Sequence, residues 1–402
     1  MIDSIDLKNF KSARGFNSPI PLRALTVLSG LNGSGKSTVL QAVALLRQSL
    51  EIESESDATL NALHLHGPLV QLGSAADVLS ERASSESIEF VLSDSKASDK
   101  WSFVSEISQD ELNDGVLSRR LELCIKNNRV SSNNPPKNSI EDYLGKCPFQ
   151  FLQADRLTPG THYERSFLAN KDSYFLGVRG QYTPDFLAEN GNSLVVRTGR
   201  CCNESVLGVQ AELMTRIAST PRLYDQISGW LQYLSPGVRL DAERIKKTDL
   251  VTLGFSYKST QIAQDSERRR PTNVGFGLTY CLPIIVACLS APPGALLLLE
   301  NPEAHLHPRG QAALGTLLAK CAADGVQILV ETHSDHLLNG VRLAVKAKNI
   351  PNSSVSLCHF VRDTDTGDSY FQNPMILPDG ELSAWPDGFF DEWENSLEAL
   401  LR

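Results

Sequence analysis

Residues 30–37 read Gly30-Leu31-Asn32-Gly33-Ser34-Gly35-Lys36-Ser37. A loop with the spacing G-x-x-x-x-G-K-S can wrap phosphate oxygens. Its glycines let successive backbone N–H groups turn inward, its lysine reaches the outer phosphates, and its serine hydroxyl ligates Mg²⁺. The residues in position to hold ATP and its Mg²⁺ are therefore Asn32, Gly33, Ser34, Gly35, Lys36, Ser37 and Thr38. The alternative is a polar turn that happens to contain a lysine, and the flanks argue against it. Leu25-Thr26-Val27-Leu28 reads as a strand running in. Thr38-Val39-Leu40-Gln41-Ala42-Val43-Ala44-Leu45-Leu46 reads as a helix running out, whose N-terminal dipole adds to an anion site.

A second set of polar groups lies far along the chain. Ala295-Leu296-Leu297-Leu298-Leu299-Glu300 is an apolar run ending in an acid. That is the pattern of a buried parallel strand delivering a carboxylate to the C-terminal edge of an α/β sheet. Glu300 is the expected Mg²⁺ carboxylate, direct or through water, because a hard cation on phosphate needs further oxygen ligands. Taken alone, a surface acid closing a buried strand is a plausible reading of it; paired with the phosphate loop it is not. Val326-Gln327-Ile328-Leu329-Val330-Glu331-Thr332-His333-Ser334-Asp335 repeats the pattern. His333 has two readings, a group that senses the γ-phosphate or holds the attacking water, and a hydrogen-bonding cap after the strand.

These groups need elements to place them. The chain has 402 residues, 41% hydrophobic and 21% charged, the composition of a folded protein with room for two or three domains. It has no apolar run of about 18 residues, so no membrane span is expected. The acidic, alternating Met1–Leu7 reads as a first strand and not as a signal peptide. Eight cysteines without C-x-x-C spacing point to a reducing cytosol, with neither a zinc site nor a disulfide framework. A net charge of −9 confines any nucleic-acid contact to a local patch or to a partner. Arg268-Arg269-Arg270 is one such patch, and a solvated loop explains it equally well.

Strands are expected at Ile2–Phe10, Leu25–Leu28, Ser87–Leu92, Trp101–Ile107, Leu121–Ile125, Phe149–Leu152 and Val251–Ser256. The helix after the phosphate loop should run to about Leu50, ended by the acidic stretch from Glu51. Residues 183–240 look helical, with Glu204–Ala218 and Leu223–Leu234 as the clearest segments. Asp363-Thr364-Asp365-Thr366-Gly367-Asp368 has acids at metal-like spacing, but lies between two strand-like runs and reads better as a hairpin turn.

Leu298-Leu299-Glu300-Asn301-Pro302-Glu303-Ala304-His305-Leu306-His307-Pro308, followed by Val330-Glu331-Thr332-His333-Ser334-Asp335-His336, resembles the ABC-type ATPases related to SMC and DNA-repair proteins. The nearest branch is the AAA-like or OLD-like (overcoming-lysogenisation-defect) group. Leu7-Lys8-Asn9-Phe10-Lys11-Ser12 and Asn273-Val274-Gly275-Phe276-Gly277-Leu278-Thr279 fit it too, and Trp385-Pro386-Asp387-Gly388-Phe389-Phe390-Asp391 resembles the tail of one subfamily. The resemblance covers residues 1–75 and 270–402; in the middle only Gln153-Ala154-Asp155-Arg156 matches, loosely.

That resemblance implies an α/β fold, an ABC/SMC-like P-loop ATPase head with a β lobe and a helical insertion. Residues 1–75 and 270–402 would form the nucleotide-binding core, 76–182 the β-rich lobe and 183–269 the helical insertion. Glu300 would be the Walker B acid and His333 the switch histidine. Gly275 and Gly277 would lie in a signature loop that caps the nucleotide of a facing subunit; an ordinary turn before an apolar helix Leu282–Leu289 is the alternative. Gln71 is a candidate Mg²⁺- and water-contacting glutamine. Such ATPases usually carry a general-base glutamate directly after the Walker B acid, and here that position is Asn301, which cannot take a proton from water. Either Glu303 takes the base role, or turnover is slow and the protein works as an ATP-gated clamp.

The implied partners are a second copy, head to tail or in a larger oligomer, and a separately encoded effector such as a nuclease or toxin. The setting would be cytoplasmic antiviral defence. A repair ATPase acting directly on DNA and a non-hydrolysing scaffold are the alternatives. A transporter subunit would carry L-S-G-G-Q, which is absent. The residues after His333 are too few for the Toprim nuclease domain of OLD proteins, so no nuclease activity is expected in this chain.

Overall fold

The computed structural model describes residues 1–54, 60, 62–94, 99–107, 120–122, 124–125, 140–166, 174–202, 217–258, 266–386, 388–389 and 392–401. The chain packs as two compact units. One comprises Met1–Cys147, Ser353–Ile376 and Leu382–Arg402; the other comprises Pro148–Asn352 and Leu377–Glu381. These units cut across the three segments drawn from the sequence.

The first unit opens with β1 (Ser4–Phe10), where Ile5 and Leu7 are buried and Lys8 is exposed, the alternation of a strand with one face on a core. It pairs antiparallel with β2 (Ala13–Gly15), β3 (Ile20–Pro21) and β6 (Ser87–Asp94), and the sheet continues through β7 (Asp99–Glu106) to β9 (Cys124–Ile125). Phe10 meets Phe90 edge to face at 5.0 Å in its core. Its second layer holds β4 (Leu25–Gly30), parallel to β16 (Val355–Arg362), which pairs antiparallel with β17 (Ser369–Gln372). The segment between β16 and β17 is the hairpin turn expected, with Asp363 Oδ1 accepting from the Asp365 and Thr366 N–H groups at 2.8 Å.

Helix α1 (Lys36–Ser54) follows the phosphate loop and passes the expected end at Leu50. The acids meant to stop it hold its last turn together instead. Arg47 Nε donates to Glu51 Oε1 at 2.7 Å, and His64 Nε2 lies 2.6 Å from Glu53 Oε1.

In the second unit β10 (Phe149–Leu152), β14 (Leu296–Glu300) and β15 (Gln327–Glu331) form a parallel set in register, Leu152 beside Leu299 and Glu300 beside Glu331. Leu296–Leu299 are fully buried, as continuous apolar strands between layers must be. Helices α6 (Phe276–Ser290), α7 (Pro308–Ala323) and α8 (Asp335–Lys346) belong to the same unit. The Ser334 hydroxyl caps α8 by accepting from the Leu337 N–H at 2.9 Å.

Residues 183–269 are not simply helical. After α4 (Thr183–Asn190) and α5 (Leu223–Leu231), the chain forms an antiparallel pair, β12 (Val238–Arg244) and β13 (Leu250–Tyr257). Val238, Leu240 and Ala242 alternate as buried positions along β12, a period of two where helix was read up to residue 240. Most of the helix expected at Glu204–Ala218 lies outside the described residues. Helix α6 starts at Phe276, earlier than the expected Leu282, and continues through Pro283.

Among the described residues no helix is long and apolar enough to cross a membrane. Cys147, Cys201, Cys202, Cys281, Cys288, Cys321 and Cys358 are all free thiols.

Candidate functional site

The phosphate loop joins β4 to α1 in the first unit. Gly30, Gly33 and Gly35 take φ values of 134°, 77° and 103°, the region that L side chains avoid. Gly30 is also confined by packing, since a Cβ there would lie 2.2 Å from the Phe360 carbonyl oxygen. Lys36 is almost fully buried, and its Nζ donates to the Gly30 and Leu31 carbonyls at 3.0 and 2.7 Å. The ammonium is thus stored against the loop it serves, held by neutral acceptors that a phosphate oxygen can outcompete. Ser34 Oγ donates to the Leu31 carbonyl at 2.8 Å, and Asn32 and Gly33 lie exposed at the tip.

Neighbouring segments brace the loop. Ser12 Oγ lies 2.8 Å from Thr38 Oγ1, and Lys11 Nζ donates to Gln41 Oε1 at 2.6 Å. The stretch Leu7–Ser12 therefore docks onto the first turns of α1. Two cavities flank the loop within this unit. One, of about 440 Å³, is lined by Leu31, Asn32, Ser34, Phe360 and Arg362; the other, of about 470 Å³, by Lys11, Ser12, Arg14, Arg82 and Arg362. Both are of small-molecule size.

The second unit gathers the acids. Glu300 ends β14 half-buried, and its Oε2 accepts the Ala154 N–H at 3.0 Å. Asn301 follows with φ 42°, a left-handed conformation that Asn tolerates better than most residues, so the departure from glutamate suits the backbone. Glu303 is 9% exposed; its Oε1 accepts the His333 N–H at 2.7 Å, while its buried Oε2 has no partner among the described residues. Burial pushes the Glu303 carboxyl above its usual range, against the pull of the His333 N–H and the Thr332 hydroxyl. A buried carboxylate with one open oxygen and a raised pKa has the properties of a general base. His333 itself is exposed beside it.

Gly275 is the N-cap of α6 and Gly277 lies in its first turn, where a Cβ would come 2.7 Å from the His305 carbonyl oxygen. The helix therefore begins directly after Gly275, with Phe276 39% exposed. Gln71 is exposed, and no hydrogen bond joins its side chain to the phosphate loop among the described residues. The buried glutamine of this region is Gln48 on α1, whose Oε1 accepts from the Leu69 and Val70 N–H groups at 2.9 Å. Arg268 is engaged by Asp241 at 2.7 Å and by Thr252 at 3.2 Å, which reduces its availability to a DNA backbone.

No role was read for Arg156 from the sequence, yet it is fully buried and donates to the carbonyls of Gln153, Glu300 and Asn301. Its signal was the polar tetrapeptide closing a third buried strand. Among the described residues, no cluster of His, Cys, Asp or Glu holds a metal unaided. A cation here would need ligands from the nucleotide. Ser37 in the first unit carries a hydroxyl and Glu300 in the second a carboxylate, each a hard oxygen donor of the kind Mg²⁺ takes.

Fold and loop together define a P-loop ATPase of the α/β class. The family profile described as "AAA domain, putative AbiEii toxin, Type IV TA system" matches residues 25–141 and 215–339, more than half of the chain, and the chain belongs to that family. A second profile, "Protein of unknown function (DUF3696)", matches residues 350–400. No curated protein matches the chain. Among solved structures it is similar to an SmcHead bound to the C-winged helix domain of ScpA, at 15% identity over 94% of this chain and 98% of that one, TM-score 0.49. The Smc head with an extended coiled coil bound to the C-terminal domain of ScpA, from Pyrococcus furiosus, is 14% identical over 100% and 99%, TM-score 0.48. The SMC head domain from Thermotoga maritima is 13% identical over 92% and 98%, TM-score 0.41.

Proposed function

We propose that the protein binds ATP·Mg²⁺ at residues 32–38 and hydrolyses it slowly, as the regulatory ATPase of an antiviral defence complex. The observation that carries the nucleotide reading is Lys36, buried in a glycine loop with its ammonium donating to the Gly30 and Leu31 carbonyls of that loop. Ser37 and Glu300 would ligate Mg²⁺, with Gln71 as a further candidate, and bound Mg²⁺ would neutralise phosphate charge. The cavities flanking the loop offer room for ribose and base. Glu303 takes the base role that Asn301 cannot, and its desolvation and single open oxygen support this assignment. His333 orients beside it, its own N–H spent on the Glu303 carboxylate.

Two copies would meet head to tail, each presenting Gly275 and Gly277 at the start of α6 to the other's nucleotide. ATP then acts as a bridge, and hydrolysis or release opens the pair. The OLD-like resemblance and the toxin in the family's description support a defence setting with a separately encoded effector, a nuclease or toxin. The test is affinity purification of the tagged protein from its host with mass spectrometry, alongside Lys36→Ala. A stoichiometric nuclease or toxin lost with Lys36 supports the reading. Recovery of repair factors and DNA alone overturns it in favour of a DNA-directed ATPase.

A further inference from the structure

Three strand ends meet in the second unit, and the third supplies an arginine. Arg156 follows β10 and is completely buried, a costly place for a guanidinium. Among the described residues it forms no ion pair with any carboxylate. Its donors go to backbone instead. Nη1 donates to the Gln153 carbonyl at 3.0 Å and to the Glu300 carbonyl, and Nη2 donates to the Asn301 carbonyl at 2.8 Å. The guanidinium lies 4.3 Å from the centre of the Tyr280 ring, on α6. The Tyr280 hydroxyl in turn donates to the Ala154 carbonyl, and the Ala154 N–H donates to Glu300 Oε2.

The contacts close a circuit. The Glu300 side chain is held by Ala154, Ala154 by Tyr280, Tyr280 by the charge of Arg156, and Arg156 grips the backbone of Glu300 and Asn301. That grip falls on the one turn that must deliver both acids, and it spans the left-handed residue Asn301. A guanidinium reaches the carbonyls here from two nitrogens held in one rigid plane; an ammonium would have to reach them from a single, freely rotating nitrogen. A chain needing only a filled core would place a Met or Leu here at lower cost.

We propose that Arg156 is a positioning residue for ATP hydrolysis, fixing the turn from Glu300 to Glu303 in its working geometry without helping to hold the nucleotide. Tyr280 is its clamp. Because Tyr280 also lies 5.0 Å from the His305 ring and 5.4 Å from Phe276, the clamp is continuous with the first turn of α6. The inference rests on the hydrolysis reading above.

The test uses the full chain with Arg156→Lys, Arg156→Ala and Tyr280→Leu. Titration with a fluorescent ATP analogue and Mg²⁺ gives affinity, and single-turnover hydrolysis gives the rate. Arg156→Lys is expected to keep wild-type affinity within about threefold and to lose about 10–100-fold in rate, the usual cost of removing a group that orients a catalytic ligand. Arg156→Ala should lose as much and regain part of it in millimolar guanidinium, but none in urea, which has the shape without the charge. Tyr280→Leu should show a smaller loss of the same kind. Wild-type turnover in Arg156→Lys overturns the inference alone, as does a parallel loss of affinity and rate. Absence of turnover in the wild type overturns the hydrolysis reading and takes the inference with it.

Discussion

Lys36 donates to carbonyls five and six residues away, inside its own loop. Glu300 is held by Ala154, 146 positions distant, and Glu303 by His333, 30 positions on. The nucleotide loop is thus assembled from consecutive residues, while the acid turn is assembled from the ends of three strands and owes its shape to residues elsewhere. The loop already contains the acceptors that keep its cation in place before any ligand arrives. The acid turn leaves Glu303 Oε2 without a hydrogen-bond partner among the described residues, an open acceptor of the kind that proton transfer uses. Damage to the loop should remove binding, and damage to the turn should remove turnover while binding survives.

The widest separation should come from Glu303→Gln. Single-turnover hydrolysis should fall by about 10²–10⁴, the range for a lost general base, with ATP affinity unchanged. Affinity lost in step with rate would mean the two regions are not separable. The pH dependence has a defined sign. A base must be ionised, and burial holds the Glu303 carboxyl above its ordinary range, so turnover should fail on acidification earlier than for a solvent-exposed glutamate. The same raised pKa means that Glu303 costs stability above the pKa of the unfolded chain, a cost relieved as pH falls through the folded value. Glu303→Gln should therefore not lower the melting temperature at neutral pH.

Lys36→Ala should be the complement, with ATP affinity weakened about 100-fold, the scale of a lost charge-assisted contact, and little change in melting. Gly30→Ala tests the loop's scaffold. The substitution meets the Phe360 carbonyl at a φ of 134°, and a loss of about 2–4 kcal/mol is expected by denaturant titration. Gln71→Ala should be the smallest effect, within about threefold in rate and affinity, because an exposed side chain with no hydrogen bond to the loop has little to lose. A large effect would mean that Gln71 meets the nucleotide after all.

The same contrast decides what could be read in advance. The loop, its strand and its helix are legible because glycine, lysine and serine act through neighbours in sequence. The strands β14 and β15 are legible because four-leucine and Ile-Leu-Val runs fit only a buried layer. Arg156 is not legible, since its partners are carbonyls 144 and 145 residues away and a carbonyl leaves no residue signature. Glu303 is legible as a candidate by position, but its isolation from solvent is a tertiary fact. Strand β12 is obscured because it begins soon after the amphipathic run of α5, where a helical period carries over by eye. Gln48 is hidden for a similar reason, a polar residue within an apolar helix whose partners, Leu69 and Val70, lie in a later loop.

One consequence of the chain path concerns synthesis. β4 pairs with β16, and Ser29 and His359, partners in that register, stand 330 residues apart. On a ribosome adding about 5–20 residues per second, the nucleotide loop emerges roughly 15–65 s before the strand that confines Gly30 exists. Pro148–Asn352, most of the second unit, is made entirely within that interval. The acid turn can mature while the loop is still half built, and premature nucleotide capture by a nascent chain is disfavoured by the order of translation alone.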